Sequence, residues 1–405
     1  MKKALVLSSV SRTVLAVIRS LGRGGVEVHT AWTRPNCISS RSRYVRATHD
    51  LPPYSDADLS WKTALADLMR RERFDLVIPC TDIDTLALNR HRADLEHFGR
   101  IYTPNDDAVA VLFDKHRTNE LARSAGVRLP REMAITDLDG AREAWRQLGA
   151  PLVLKPRRTF DHPTQGLAVR KAHSEAELLR LVPKFLAHGP VAAQQNFIGH
   201  GAGIELLLDR GEKLLAFQHV RVHEPLEGGQ STYRKSVPLS PELLDAALRI
   251  LQPLRYSGVA MVEFKVNPAT GDWIFVEVNS RFWGSLPLSV AAGADFPLAL
   301  FEFLTTSRRD FPQRYRSGLF CRNLPLDLEW QIANLHADRS DPTLATKNLP
   351  AVAAETVTNI LTLRERWDSL TLDDPKPGFA EIGDLMGRAF AKLTKSRRAL
   401  DAETA

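Results

Sequence analysis

Residues 273–284 read WIFVEVNSRFWG. An apolar run this rich in aromatic and β-branched residues predicts a buried strand. Glu277, Asn279 and Arg281 interrupt it at every second position. Successive side chains of a strand point to opposite faces, so the three share one face. The preceding run MVEFKV and the turn NPATGD complete a hairpin centred near Thr270. A symmetric register pairs Val262 with Val278, Phe264 with Val276 and Val266 with Ile274 on an apolar face. On the other face it pairs Met261 with Asn279, Glu263 with Glu277 and Lys265 with Phe275. A slip by one residue would scramble both faces. Two acids placed opposite each other are destabilising unless something offsets them. Lys265 could do so, with the cluster facing solvent. A hard cation could do so as well, since magnesium takes carboxylate, amide and phosphate oxygens. Arg281, at the strand's end, carries a fork that matches the oxygens of a phosphate or another anion.

Working outward, the chain alternates strand and helix from its start. KALVLSS predicts a strand, RTVLAVIRSLGRGG (12–25) a helix ending in glycines and VEVHTAW (26–32) a second strand. WKTALADLMRRERF (61–74) predicts an amphipathic helix and DLVIPC (75–80) a short apolar strand. This β-α-β order implies a parallel sheet with helices on its faces. The start MKKALVLSSVSRTVLAVI has the charge and apolar run of a leader peptide. Arg12 interrupts the run, however, and no small-residue cleavage site follows, so strand then helix is the better reading. The first loop lacks the G-x-G-x-x-G of a dinucleotide site. Further on, DDAVAVLFDKHRTNELARSAGV reads as one helical stretch closed by Gly126. TDLDGAREAWRQLG (136–149) reads as a helix capped by Thr136 or Asp137, and PLVLKP (151–156) as a short strand carrying one lysine. SEAELLRLVPKFLAHG reads as a helix kinked or broken at Pro183. VAAQQNFI and GIELLL read as strands flanking a turn GHGAG, and LLAFQHVRVHE as another strand leading into the polar loop PLEGGQSTYRKS. PELLDAALRILQPL reads as a helix with Pro241 in its first turn, and LPLSVAAGADFPLALFEFLTT as helix, turn and helix.

The 405 residues are 44% hydrophobic and 25% charged, enough for two or three domains with ample cores. No run of about 18 apolar residues occurs, so no membrane span is expected. Cys37, Cys80 and Cys321 are far apart and form neither a metal spacing nor a disulfide framework, which points to a reducing cytoplasm. The net charge of +6 is scattered, without a basic stripe interleaved with aromatics, so nucleic acid is not an expected partner. Attraction for phosphates or small acids accounts for it equally well.

Taken together, the chain resembles the ATP-grasp superfamily. The resemblance rests on five pieces in the family's order: the lysine of FDKHRT, the lysine of LVLKP, the stretch VAAQQNFIGHG, the acid of VEFKV and the E-x-N-x-R of VEVNSR. It implies an α/β (α+β) fold: a Rossmann-like pre-ATP-grasp domain over 1–107, then a two-subdomain ATP-grasp fold over 108–305 with a lid-like subdomain at about 125–195. Residues 306–405 are expected to form a mostly helical or irregular extension. By resemblance, Lys115 and Lys155 hold ATP phosphates, Gln194, Gln195, Asn196, Phe197 and Ile198 lie along the adenine edge, and Glu205 meets the ribose hydroxyls. Glu263, Glu277 and Asn279 bind Mg2+ (or Mn2+ in its place) against the ATP phosphates, and Arg281 stabilises the acyl-phosphate step. Two departures from the family pattern stand out. The segment after the second lysine, RRTFDHPTQGLAVRKA, holds only Gly166 where relatives have a glycine-rich loop, so its arginines and His162 could replace backbone donors. The adenine stretch also carries glutamines where many relatives have an acid.

FQHVRVHEPLEGGQSTYRKSV is similar to a subgroup described as predicted carboxylate–amine ligases, and offers Ser231, Tyr233 and Arg234, with His219 and Arg221 behind them, to a carboxylate substrate. The implied activity is an ATP- and Mg-dependent ligase that activates a carboxylate as an acylphosphate for attack by an amine. A bicarbonate-activating carboxylase or carbamoyl-phosphate-type enzyme shares every ATP residue, and a catalytically inactive nucleotide-binding regulatory protein is a third reading. The expected partners are small carboxylates and amines, and the tail could help to form a homodimer.

Overall fold

The computed structural model describes residues 2–8, 11–33, 37–156, 169–226, 229–339, 344 and 346–388. The N-terminal part runs β1 (Lys3–Leu7), α1 (Ser11–Arg23), β2 (Glu27–Ala31), β3 (Val45–His49), α2 (Ser60–Glu72), β4 (Leu76–Pro79), α3 (Asp82–Arg90) and α4 (Arg92–Leu95). Its four strands are parallel in the order β3-β2-β1-β4. Both faces of β1 are buried: Ala4 and Val6 pack on α1, and Leu5 and Leu7 join Trp61, Leu65 and Leu68 of α2. Such two-sided burial is why the strand reads as a continuous apolar run.

The helical stretch after Asp106 is two helices, α5 (Asp106–Leu112) and α6 (Lys115–Ser124), where one was expected. Asp114 makes the break, because its carboxylate accepts from the backbone N–H groups of His116 and Arg117 and caps α6. Lys115 is therefore the first residue of a helix. A four-stranded sheet, β5-β8-β6-β7, follows. It is built from β5 (Glu132–Ile135), α7 (Leu138–Leu148), β6 (Leu152–Pro156), β7 (Arg170–Ala172), α8 (Glu175–Leu186) and β8 (Val191–Gln195). Asp137 caps α7. α8 continues through Pro183 for one further turn rather than breaking there. α7 and α8 close their own small core, with Leu148, Leu152, Leu178 and Phe185.

The largest sheet has seven strands in the order β13-β12-β9-β10-β11-β14-β15. Its chain order is β9 (His200–Asp209), β10 (Glu212–His223), β11 (Tyr233–Ser236), α9 (Pro241–Leu251), β12 (Gly258–Val266), β13 (Trp273–Asn279), α10 (Leu286–Ala292), α11 (Phe296–Thr306), β14 (Phe320–Arg322), α12 (Leu324–His336), α13 (Leu349–Leu361) and β15 (Glu365–Trp367). Among the described residues the region beyond 306 holds α12, α13 and a further helix that starts at residue 376, and it adds β14 and β15 to this sheet. All but the first residue of the expected turn GHGAG lie inside β9 instead. Gly201 and Gly203 are strand residues, and a Cβ on either would overlap the side chain of Arg221 or His219. The glycines are there so that two long polar side chains of β10 can lie across β9.

The hairpin register is correct at one end and shifted at the other. Met261, Val262 and Glu263 pair with Asn279, Val278 and Glu277 as expected. Beyond Glu263 a bulge intervenes: Phe264 pairs with Phe275, Lys265 with Ile274 and Val266 with Trp273. The extra residue, Val276, changes the parity of the strand. Trp273 and Phe275 thereby turn into the core and pack edge-on against Phe264, with ring centroids 5.5 and 6.3 Å away. Five of the six residues from Trp273 to Val278 are apolar, so alternation alone could not place the bulge. No single helix among the described residues is long and apolar enough to cross a membrane, and the bent pair α10–α11 is largely core.

Candidate functional site

One face of the large sheet changes from apolar to ionic along its strands. Around Leu207, Phe217 and Met261 it packs on α10 and α11. Further along stand Glu205 on β9, His219 and Arg221 on β10, Glu263 on β12 and Glu277 with Asn279 on β13. Glu263 and Glu277 are direct cross-strand neighbours. Each meets a cation from elsewhere: Lys115 Nζ donates to Glu277 Oε2 at 3.0 Å, and Arg221 Nη2 lies 2.6 Å from Glu263 Oε2. Asn279 Nδ2 donates to Glu277 Oε1 at 3.2 Å, and Glu224 holds Arg221 from the other side at 3.2 Å. The cations that offset the two acids come from α6 and β10, whereas Lys265 is half-buried opposite Ile274.

The two carboxyls are electrostatically unlike. Burial pushes Glu263 up, with Arg221 opposing and Glu277 adding to the rise. Burial acts the same way on Glu277, but Lys115 and Asn279 outweigh it and bring that group below its ordinary range. The donor set fits a hard cation. Among the described residues no three acids, histidines or cysteines gather to form a metal site of their own. Two facing carboxylates and the carboxamide oxygen of Asn279 are an incomplete oxygen shell of the kind magnesium completes with water and phosphate.

Lys155, on β6, donates to Gln194 Oε1 at 2.5 Å, and Gln194 Nε2 reaches Glu132 at 3.4 Å. Burial first, and the charge of Lys115 next, lower the Lys155 ammonium to about 8. Gln194 and Gln195 end β8, and Asn196, Phe197 and Ile198 lie in the connection to β9, with Ile198 exposed. Arg157, Arg158, His162 and Gly166, the residues expected to close over phosphates, lie outside the described residues. A cavity of about 430 Å³ opens between α6, residues 127–133 and α7, lined by Arg123, Arg131 and Glu132 among others. None of the expected site residues lines it.

Several expected contacts are replaced by internal ones. Glu205 is fully buried, 2.9 Å from both Ser285 Oγ and His219 Nδ1, so it faces neighbouring side chains and not a ribose. Its Oε2 has no partner among the described residues. Burial lowers His219 below the ordinary imidazole range. Tyr233 and Arg234 are completely buried. The Tyr233 hydroxyl donates to Glu365 at 2.5 Å and the Arg322 guanidinium covers its ring, while Arg234 is neutralised by Asp368. Both belong to the packing of β11 on β14 and β15 and are not presented to a substrate. Ser231 is half-buried; its hydroxyl donates to the Tyr233 carbonyl at 3.3 Å and its carbonyl accepts from Arg234 Nη1 at 3.4 Å. Arg221, expected behind the substrate, joins the carboxylate cluster instead. Arg281 is not among those carboxylates: its guanidinium meets Asp82 at the start of α3, Nε to Oδ1 at 2.8 Å. Sequence reasoning missed Glu224, Asp82 and Ser285. The first and last had a signal, since each lies within a few residues of a motif already singled out; Asp82 had none.

Residues 239–303 match the family model described as the carbamoyl-phosphate synthase L chain, ATP binding domain. The carbamoyl phosphate synthase large chain of Pseudarthrobacter chlorophenolicus is 22% identical over 292 residues, covering 68% of this chain and 25% of that one. The chain thus spans about a quarter of the length of the curated relatives it matches. Among solved structures, N5-carboxyaminoimidazole synthetase from Staphylococcus aureus superposes with a TM-score of 0.63 at 16% identity, covering 83% of this chain and 86% of that one. L-amino acid ligase from Bacillus licheniformis does so with a TM-score of 0.56 at 16% identity, covering 75% and 74%. These likenesses establish the fold, and it is the ATP-grasp fold that the sequence resembles.

Proposed function

We propose that this chain is an ATP- and Mg-dependent ligase that joins a carboxylate to an amine through an acylphosphate. The observation that carries the reading is the pair Glu263 and Glu277, directly opposite each other on β12 and β13, with Lys115 from another element already bonded to one of them. Folding a buried and a half-buried acid face to face costs stability, and the arrangement is accounted for by a polyphosphate–cation ligand that needs them. Glu263, Glu277 and Asn279 would hold the magnesium, which when bound supplies neutralisation of phosphate charge. Lys115 and Lys155 bind and orient the phosphates, and residues 194–198 line the base. A carboxylate oxygen of the substrate attacks the terminal phosphorus; the new O–P bond forms as the bridging P–O bond breaks and ADP leaves. The amine nitrogen then attacks the acyl carbon, the C–O bond to phosphate breaks, and the amine proton passes to phosphate or solvent. Arg281 stabilises charge on the transferring group, and no side-chain nucleophile is required. Three free cysteines, two of them buried, agree with a reducing cytoplasm, where ATP is available. Small molecules rather than nucleic acid are the partners in this reading, and a homodimer is tested by sedimentation.

A second reading, with bicarbonate as the activated acid, is favoured by the carbamoyl-phosphate synthase matches. One assay separates the readings: Mg-ATP, hydroxylamine and pools of carboxylates, with ADP and hydroxamate measured. The ligase gives both products with a carboxylate, and Glu277→Gln reduces turnover to background while the variant still unfolds cooperatively. ADP released only with bicarbonate supports the second reading, and nucleotide binding without ADP release supports a regulatory protein.

A further inference from the structure

We propose that Asp82 is a positioning residue for Arg281: a side-on ion pair across two sheets aims the remaining donors of the guanidinium at the transferring phosphoryl group. The proposal rests on the ligase reading above. Arg281 Nε donates to Asp82 Oδ1 at 2.8 Å and Nη2 to Asp82 Oδ2 at 3.4 Å, while Nη1 donates to the Phe282 carbonyl at 2.9 Å. A guanidinium has five N–H donors in a rigid fork. These bonds use three, and a donor on each terminal nitrogen is thus left for the oxygens of a phosphate or carboxylate. A guanidinium gripped along its Nε edge can turn only a little, so the direction of that fork is set before a ligand arrives.

The grip is anchored in turn. Thr81 caps α3, accepting from the Asp84 backbone N–H at 3.2 Å and donating to Asp84 Oδ2 at 2.6 Å. Thr85 Oγ1 bonds back to the Thr81 carbonyl at 2.7 Å, and Asp84 and Thr85 are buried. Asp82 therefore projects from a fixed helical turn of the N-terminal sheet. Arg281 stands two residues beyond Asn279, in the connection after the strand that carries the proposed metal ligands. The pair is no stability device: Asp82 is 52% exposed and Arg281 23%, and exposed ion pairs contribute little. Its cost in ordered side chains is explained by orientation.

The test compares wild type with Asp82→Asn, Asp82→Glu, Arg281→Ala and the double variant Asp82→Asn/Arg281→Ala in the ADP-release assay. Asp82→Asn is expected to lower kcat by about ten- to a hundredfold, since a misplaced group costs on that scale. KM for ATP should change by less than about twofold, because the interaction is made in the transition state. Asp82→Glu should restore part of kcat, and Asp82→Asn should cost nothing further in the Arg281→Ala background. Tm should not move. The proposal is overturned if Asp82→Asn retains wild-type kcat, or if it costs as much without Arg281 as with it. A wild-type chain that releases no ADP with any acid overturns the ligase reading, and the positioning role with it.

Discussion

Lys155 shows how much a single side chain owes to its surroundings. Its ammonium is lowered to about 8, by burial first and by Lys115 second. Above that pH the free protein carries a neutral Lys155, and attraction for phosphate is lost. Affinity for Mg-ADP is expected to be flat below pH 7 and to fall by up to about tenfold per pH unit above 8, with one proton taken up per nucleotide. Calorimetric titrations between pH 7 and 9.5 check this, and Lys155→Met should bind more weakly with no such slope. For stability without ligand the sign is opposite. The folded pKa lies below the unfolded one, so the unfolded chain binds more protons between about pH 8 and 10.5, and this group adds stability as pH rises through that window. At this scale the sequence was informative about identity and poor about environment. Lys155 was legible as a lone lysine in an apolar strand, whereas its bond to Gln194 depends on where β8 docks beside β6.

At the scale of the element, β9 and β13 both contain a residue that ordinary strand rules do not ask for. In β9 it is the pair Gly201 and Gly203, which leaves space for Arg221 and His219. Gly203→Ala is expected to destabilise the protein by about 1–3 kcal/mol, as overpacking does. Gly284→Ala, where an added Cβ meets nothing within 4 Å and φ is not positive, should stay within about 0.5 kcal/mol. Denaturant titration of both variants reads the difference, and equal effects would show that the close approach is not what the glycine serves. In β13 the extra residue is Val276. The half of the hairpin nearest the site was legible because Glu263, Glu277 and Asn279 break an apolar background. The half nearest the turn was not, because Ile274, Phe275 and Val276 are interchangeable to an alternation rule, and only the fit of Phe275 and Trp273 around Phe264 selects among them.

At the scale of the molecule, the segment 368–374 ties the end of the chain to its beginning. Arg19 of α1, 3% exposed, donates to Asp374 Oδ2 at 2.9 Å and to the carbonyls of Asp368, Ser369 and Asp374. Asp374 also accepts from Ser42 Oγ at 2.7 Å and the Arg43 N–H at 2.9 Å. Breaking a buried pair leaves a charge without compensation, so Asp374→Ala should cost about 3–5 kcal/mol. Arg19→Met/Asp374→Leu, which removes both charges, should cost much less; urea unfolding of the two distinguishes a buried pair from a loose strap. The same segment brings Asp368 to Arg234 and Arg12, and the docking of α3 beside the end of β13 brings Asp82 to Arg281, each over more than a hundred residues of chain. By itself the sequence determined what is local: which segments are strands and helices, which residues cap them, and that two acids and an amide share one face of a hairpin. Those follow from periods of two and 3.6 residues and from backbone groups that must be satisfied nearby. Only the tertiary structure decided which cation meets which acid, and so took Tyr233, Arg234 and Glu205 into the interior and joined Arg221 to Glu263. Pairing of charges is set by how sheets dock across long stretches of chain, and no local period records it.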